Sequence, residues 1–245
     1  AVMAGDTQMD PEELSDVIGP VVEDTADYVK GNRLFTGEAW QIIPKTRYLG
    51  NATLSLLTKI ASGYWQVADS QTGYTAISAE TLRLLPLDRL YKRYGYPNHL
   101  LVMLNVYNRR VEDVAVRPVY HVGEKSKMRL WKVIPLLSWM LFRWTLWRLK
   151  EKYIIRDFHP LVFFYMMATG LLALSIPLAV RLFYFWWVDG GIPKINALAL
   201  MFAVIMGFQS LFFAMWFDME YNKDLGRGFK RRIPVRRQPD DAPRA

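Results

Sequence analysis

The chain contains the stretch PLVFFYMMATGLLALSIPLAV (160–180), RLFYFWWVDGGIPKIN (181–196), ALALMFAVIMGFQSLFFAMWF (197–217). Its first and third parts carry no charged residue, and each is long enough, at ~1.5 Å per residue, to cross a hydrocarbon core of ~30 Å. Gly190, Gly191 and Pro193 make the connection a tight turn, because they cannot prolong either helix. The stretch therefore predicts two antiparallel transmembrane helices, over about residues 160–182 and 196–217.

Basic residues flank this hairpin on one side of the membrane. They are Arg143, Arg148, Lys150, Lys152 and Arg156 before it, and Lys223, Arg227, Lys230, Arg231, Arg232, Arg236 and Arg237 after it. The connecting loop, residues 188–196, carries one lysine and one aspartate. Cytoplasmic segments are enriched in lysine and arginine. We therefore expect the residues before the hairpin and a basic tail, residues 223–245, to be cytoplasmic.

Residues 129–156 combine four tryptophans with several lysines and arginines. Each central lysine or arginine would cost ~2.5 to 3.5 kcal/mol inside a bilayer, so a third span is disfavoured. Apolar aromatic residues mixed with basic ones are typical of an amphipathic helix in the headgroup layer. A helix packed on the soluble domain is the alternative.

The charge distribution narrows the choice of partners. The chain has a formal net charge of +8, but residues 1–40 hold nine acidic and two basic residues. The basic residues cluster beside the membrane segments, so we expect anionic lipid rather than nucleic acid as their partner. The absence of cysteine excludes disulfides, thiolate metal sites and cysteine nucleophiles.

Helical and strand patterns alternate through residues 1–128, which predicts an α/β domain. We expect helices over about 10–18, 47–61, 79–85 and 99–107, strands over 27–30, within 69–78 and over 111–120, and a basic loop at 123–129. Residues 1–3 read as the end of a strand, so we expect further units of the domain upstream of Ala1.

A polar turn follows that strand end. The sequence AGDTQMDP (4–11) places Asp6 and Gln8 between a strand and a helix that Asp10 and Pro11 begin. Oxygen ligands on such a turn suit a hard divalent cation that also binds diphosphate oxygens. The alternative is that these side chains are helix caps or solvated turn residues.

Residues 2–11 resemble the Asp-X-Asp region of family 2 glycosyltransferases, above all the branch similar to dolichol-phosphate mannosyltransferases, where the pattern is commonly D-x-D-x-Q-x-x-P. Asp6 matches the second aspartate and Gln8 the glutamine, while Ala4 stands at the first aspartate. The likeness extends over roughly residues 1–220.

Three further segments carry this resemblance. Arg47 is similar to an arginine that follows a glycine-bearing loop in that family, and DSQTGYTAIS (69–78) looks like its D-x-x-x-G-[FY] element beside the sugar site. The segment EDVAVRPVYHVGEKSK (112–127) resembles the strand and basic loop that end the catalytic domain.

The resemblance implies a GT-A-type catalytic domain over residues 1–128 whose amino-terminal, nucleotide-binding half is missing. It implies inverting, metal-dependent transfer of a sugar from GDP-mannose or a UDP-sugar to a dolichyl or polyprenyl phosphate. The implied residues are Asp69 and Arg117 for catalysis; Asp6 and Gln8 for Mg²⁺ or Mn²⁺; Asp6, Gln8, Arg47, Gln71 and Gly73 for the donor; and Arg117, Lys125, Ser126 and Lys127 for the acceptor phosphate.

Two other functions remain open from the sequence. A lipid hydroxyl acceptor would require a general base, for which Asp69 is the candidate. A non-catalytic membrane scaffold would need none of these roles: Asp69 would cap a turn, Arg117 would be an outward strand residue, and Lys125 and Lys127 would contact lipid headgroups.

Overall fold

The computed structural model describes residues 1–3, 9–34, 45–93, 95–117 and 130–226, without the side chains of residues 45–49, 51 and 130–134. The chain divides into two compact units, the first comprising Ala1–Arg148 with Asn222–Ala245 and the second Leu149–Tyr221.

The described part of the first unit alternates helices and strands, as the sequence patterns predict. Its elements are α1 (Leu14–Val22), β1 (Tyr28–Asn32), α2 (Lys45–Ser62), β2 (Thr75–Ile77), α3 (Ala79–Leu84), α4 (Tyr96–Val106), β3 (Val111–Ala115) and α5 (Leu130–Lys150), which ends just inside the second unit. A 3₁₀ turn, Pro11–Glu13, precedes α1, and Asp10 caps it by accepting the amide of Glu12 over 3.0 Å.

The three strands form one sheet in the order β2-β1-β3. Strand β1 runs parallel to β3, with Lys30 opposite Asp113, and antiparallel to β2, with Lys30 opposite Thr75. Val2 adds a further bridge to Thr75. The carboxyl ends of β1 and β3 and the start of β2 therefore lie at one edge of the sheet.

Apolar clusters cover both faces of this sheet, since strand side chains alternate between faces. On one face Tyr28 and Val111 pack with Leu101 and Leu104 of α4. On the other, Val29 and Ala76 pack with Val17 of α1. The sheet is therefore the middle layer of an α/β unit.

Helix α5 packs one of its faces on this unit. Leu141 contacts Ala61 of α2 and Val102 of α4. Trp144 stacks on His99 with ring centroids 4.5 Å apart. The opposite face exposes large apolar side chains, namely Leu136, Trp139, Phe142 and Leu146. The helix thus has an inner face held by protein and an outer face that suits lipid.

Arg148 lies on the inner face of α5 and is fully buried, although its sequence position suggested a charge beside the membrane. Its Nε donates to the carbonyl of Ala61 over 2.8 Å and its Nη2 to the carbonyl of Ile60 over 3.2 Å. Helix α2 ends there at Gly63, whose φ of +76° suits glycine. A Cβ at Gly63 would lie 2.6 Å from Arg148 Nη1. Arg148 therefore satisfies carbonyl groups that the last turn of α2 leaves unpaired.

The second unit contains a π-helical segment, Glu151–Arg156, then α6 (Leu161–Asp189) and α7 (Lys194–Asn222), whose last residue belongs to the first unit. Gly190 ends α6 in the left-handed conformation at φ 64°. Asn196 donates to the carbonyl of Leu178 over 2.9 Å, so the two helices are antiparallel neighbours.

Both helices are long and apolar enough to cross a membrane. Only 11% of the most apolar window is buried in α6, and 22% in α7 with the 3₁₀ turn that follows it. A core helix of a soluble protein would be mostly buried, whereas these expose their apolar side chains. The second unit therefore has the character of a membrane hairpin.

Candidate functional site

The candidate site lies at the sheet edge where β1 and β3 end. Arg33 follows β1, Arg117 lies two residues beyond β3, and residues 69–73 lead into β2. In open α/β sheets, ligands bind outside the carboxyl ends of the strands. This edge brings together Asp69, Gln71 and Gly73, three of the residues that the resemblance singled out.

Asp69 is fully buried and forms an ion pair with Arg33. The sequence patterns did not suggest this ion pair. Arg33 donates Nε to Asp69 Oδ2 over 2.8 Å and Nη2 to Oδ1 over 3.3 Å. Burial by itself would raise the pKa of Asp69, but the charge and the hydrogen bonds of Arg33 outweigh it and hold this pKa below its usual value. Asp69 is therefore an ionised partner for Arg33 and a weak proton acceptor.

Hydrogen bonds with three other elements, β1, α2 and α4, hold the loop 69–73 in place. Lys30 Nζ of β1 donates to the carbonyl of Thr72 over 3.1 Å, and Ser55 Oγ of α2 accepts the amide of Ser70 over 3.2 Å. Gln71 Nε2 donates to Oδ1 of Asn98, in the first turn of α4, over 3.0 Å. The loop is thus held in one conformation before any ligand binds, which lowers the entropic cost of binding.

Asp113 of β3 is a buried carboxylate that the sequence analysis did not assign. Its Oδ2 accepts the amide of Ala68 over 2.7 Å and Nδ2 of Asn32 over 3.1 Å. Burial raises the pKa of Asp113 and lowers the pKa of Lys30, its neighbour on β1, because each charge loses hydration. Charged residues inside two short strands, Lys30 in β1 and Asp113 in β3, were the available signal for this pair.

Two described residues bracket the segment that carries Asp6 and Gln8. Val2 exchanges backbone hydrogen bonds with Thr75 over 2.7 and 3.0 Å. Met9 Cε would lie 3.5 Å from a Cβ at Gly73. The chain therefore enters and leaves residues 4–8 beside the start of β2.

Several predicted site residues lie outside the described residues. They are Asp6, Gln8, Lys125, Ser126 and Lys127, together with the side chain of Arg47, whose backbone is in α2. Within the described part of the chain, no group of three or more histidine, aspartate or glutamate side chains is arranged to hold a metal. The predicted metal and acceptor-phosphate ligands thus remain predictions.

Arg117 is at the surface of the same edge, with 81% of its side chain exposed. Its backbone amide donates to both carboxylate oxygens of Glu13, over 3.0 and 3.1 Å, and its Nε lies 4.0 Å from Glu13 Oε1. Burial raises the pKa of Glu13. The guanidinium of Arg117 is thus mostly exposed to solvent, whereas the side chain of Arg33 is only 11% exposed.

The chain is similar to two curated proteins. It is 30% identical over 115 residues to the UDP-N-acetylglucosamine–dolichyl-phosphate N-acetylglucosaminyltransferase of Methanococcus voltae, covering 47% of this chain and 45% of that protein. It is 25% identical over 115 residues to an uncharacterised protein of Methanocaldococcus jannaschii, covering 47% of each.

The chain spans about half the length of these relatives. No protein-family model matches it. The similarity supports a glycosyltransferase, and the two exposed apolar helices indicate a membrane protein.

Proposed function

We propose that this protein transfers a sugar, with inversion and with Mg²⁺ or Mn²⁺, from a nucleotide-sugar donor to a polyprenyl or dolichyl phosphate. The similarity over 115 residues to an enzyme whose name gives a UDP-sugar donor and a dolichyl-phosphate acceptor carries this proposal. It also makes UDP-N-acetylglucosamine the first donor to test, ahead of GDP-mannose. The GT-A-type fold and the kinship with dolichol-phosphate mannosyltransferases are part of the same proposal.

The state of Asp69 supports a phosphate acceptor over a hydroxyl acceptor. A lipid hydroxyl must lose a proton during attack and needs a general base. Asp69 is bound bidentately by Arg33, and its pKa is below the usual value. A lipid phosphate is already anionic, so the enzyme needs positioning and charge neutralisation rather than a base. We therefore assign Asp69 the role of holding Arg33 and the loop 69–73.

The proposed donor site comprises Arg47, Gln71 and Gly73, with Asp6 and Gln8 as the residues that would hold the metal. A bound divalent cation would neutralise charge on the departing diphosphate. The anchoring of Val2 and Met9 beside Thr75 and Gly73 supports this, because it brings both ends of the segment 4–8 next to the loop.

The proposed orientation places the first unit and the tail on the cytoplasmic face, with residues 188–196 opposite. The exposed apolar face of α5 would lie in the headgroup layer, where aromatic and basic residues are favoured. A polyprenyl phosphate keeps its chain in the bilayer and its phosphate at headgroup level. The acceptor site must therefore be cationic and close to this layer, as Arg117, Lys125 and Lys127 would be, with the Ser126 hydroxyl as an uncharged hydrogen-bond donor.

Replacing the basic residues of this site by alanine should raise the KM for the lipid phosphate and leave the KM for the nucleotide sugar unchanged. We expect Arg117→Ala, and the pair Lys125→Ala with Lys127→Ala, to raise the KM for polyprenyl phosphate about ten-fold, since a charge-assisted hydrogen bond contributes roughly 1.5 to 3 kcal/mol. Steady-state kinetics of the full-length protein in detergent, with the lipid phosphate varied, measure this.

The matched control is Arg83→Ala, which removes an exposed arginine from α3 and should leave both substrates unaffected. An unchanged acceptor KM in the Arg117 and Lys125/Lys127 variants would contradict the assigned acceptor site. An equal rise in the donor KM would also contradict it, because it would mean a general loss of structure.

A further inference from the structure

Asn98 presents a side chain whose orientation is already set. It is the third residue of α4, follows Pro97, and is fully buried. Its Oδ1 accepts the hydrogen bond from Gln71 Nε2 over 3.0 Å, so Nδ2 is the half of the amide that Gln71 does not use. The next residue, His99, is fixed by stacking on Trp144 and by accepting the amide of Tyr91 at Nδ1 over 3.1 Å. The first turn of α4 is therefore a rigid support for this amide.

The second half of the same amide is unused. Nδ2 of Asn98 is buried and has no hydrogen-bond partner among the residues that the structure describes. A buried donor left unpaired costs about 1 to 3 kcal/mol, and folded proteins rarely keep one without a reason. An acceptor supplied by a ligand would recover this free energy only when the ligand is bound.

The surroundings favour an uncharged oxygen as that acceptor. A phosphate brought to a buried position would need a cation beside it. The two described cations at this loop are engaged, Lys30 with the carbonyl of Thr72 and Arg33 with Asp69. A neutral amide instead matches a sugar hydroxyl or an acetamido carbonyl, which can be buried once it is hydrogen-bonded.

We propose that Asn98, through Nδ2, donates a hydrogen bond to an oxygen of the sugar ring or its acetamido group in the bound donor, next to Gln71. Asn98 is thus a specificity-determining residue for the transferred sugar. The inference rests on the proposed function, because Gln71 and Gly73 belong to the donor site only if the protein binds a nucleotide sugar.

The experiment compares the affinity for a nucleotide sugar with the affinity for the same nucleoside diphosphate without its sugar. Isothermal titration of the full-length protein would use a panel of UDP-N-acetylglucosamine, UDP-glucose and GDP-mannose. The donor that the wild type binds most tightly is then compared with its own nucleoside diphosphate. The variant Asn98→Asp keeps the oxygen that accepts the hydrogen bond from Gln71 but loses the NH₂ group. In this variant we expect the Kd for the nucleotide sugar to rise about ten-fold. The Kd for the nucleoside diphosphate should change less than two-fold.

Two further variants keep the result interpretable. Asn98→Ser removes the amide without adding a charge, and it should give the same pattern if Asn98→Asp does not fold. Ser55→Ala removes another anchor of the loop 69–73 without touching Nδ2, so it should change both Kd values by the same factor.

Equal losses for the nucleotide sugar and the nucleoside diphosphate in the Asn98 variants would overturn the assignment, because they would indicate a phosphate contact or a purely structural role. Unchanged affinities would overturn it as well. A wild type that binds no member of the panel would contradict the proposed function itself, and the role of Asn98 with it.

Discussion

Replacing Asp69 by asparagine is expected to abolish sugar transfer and to lower the free energy of unfolding by about 3 kcal/mol. Removing one partner of a buried ion pair costs roughly 3 to 5 kcal/mol, because the other charge is left without compensation. Asparagine keeps the shape of the side chain but cannot balance the charge of Arg33, which is 11% exposed. Arg33 would then lose its bidentate partner, and the loop 69–73 would lose its fixed conformation. Denaturant unfolding and a transfer assay on the same preparation measure both effects.

A matched control and a double variant separate stability from activity. Asp88→Asn changes an exposed aspartate in the 3₁₀ turn Leu87–Arg89 and should alter neither quantity. The double variant Arg33→Met, Asp69→Leu replaces both charges by apolar side chains, which should restore much of the stability but none of the activity. Full activity in Asp69→Asn would contradict the role that we assign to this carboxylate.

Arg148→Leu is expected to destabilise the first unit by about 3 kcal/mol, because two buried carbonyl groups lose their donor at roughly 1 to 3 kcal/mol each. The carbonyls are those of Ile60 and Ala61, at the end of α2. Arg148→Lys should recover only part of the loss, since an ammonium group cannot reproduce the planar fork of the guanidinium. Thermal unfolding in detergent measures the change.

Arg143 provides the control for this prediction, because it lies on the same helix and is exposed. Arg143→Leu should leave the melting temperature of the first unit nearly unchanged. Equal small effects of the two substitutions would mean that Arg148 does not hold α5 on the domain.

Local patterns were sufficient to predict most elements. Alternating apolar residues over 111–120 predicted β3, a short strand was expected over 27–30 where β1 lies, and helical spacing predicted α2. Asp10 with Pro11 predicted the start of a helix. Some helix ends differ from the predicted ones. Helix α4 was predicted to begin at His99 but begins at Tyr96, because Pro97 suits the first turn of a helix. The two apolar runs predicted α6 and α7, since a span of that length and apolarity has few alternatives.

The sequence could not reveal contacts that depend on register or on distant chain segments. Lys30 and Asp113 meet only because β1 and β3 pair in parallel with those residues opposite each other. Arg148 was predicted to be a charge beside the membrane, because it lies among the basic residues that precede the hairpin. Its hydrogen-bond partners, the carbonyls of Ile60 and Ala61, lie far from it in the sequence. Asp69 was found through a resemblance, but its partner Arg33 follows a different strand.

The most direct test of the account is the choice of acceptor by the full-length protein. The protein in detergent with Mg²⁺ or Mn²⁺ would be supplied with radiolabelled UDP-N-acetylglucosamine or GDP-mannose and, in parallel, with polyprenyl phosphate or the matching polyprenol. We predict a labelled lipid that forms only with the polyprenyl phosphate and releases its sugar on mild acid treatment. Label transferred to the polyprenol, or to neither lipid from any nucleotide sugar, would contradict the account.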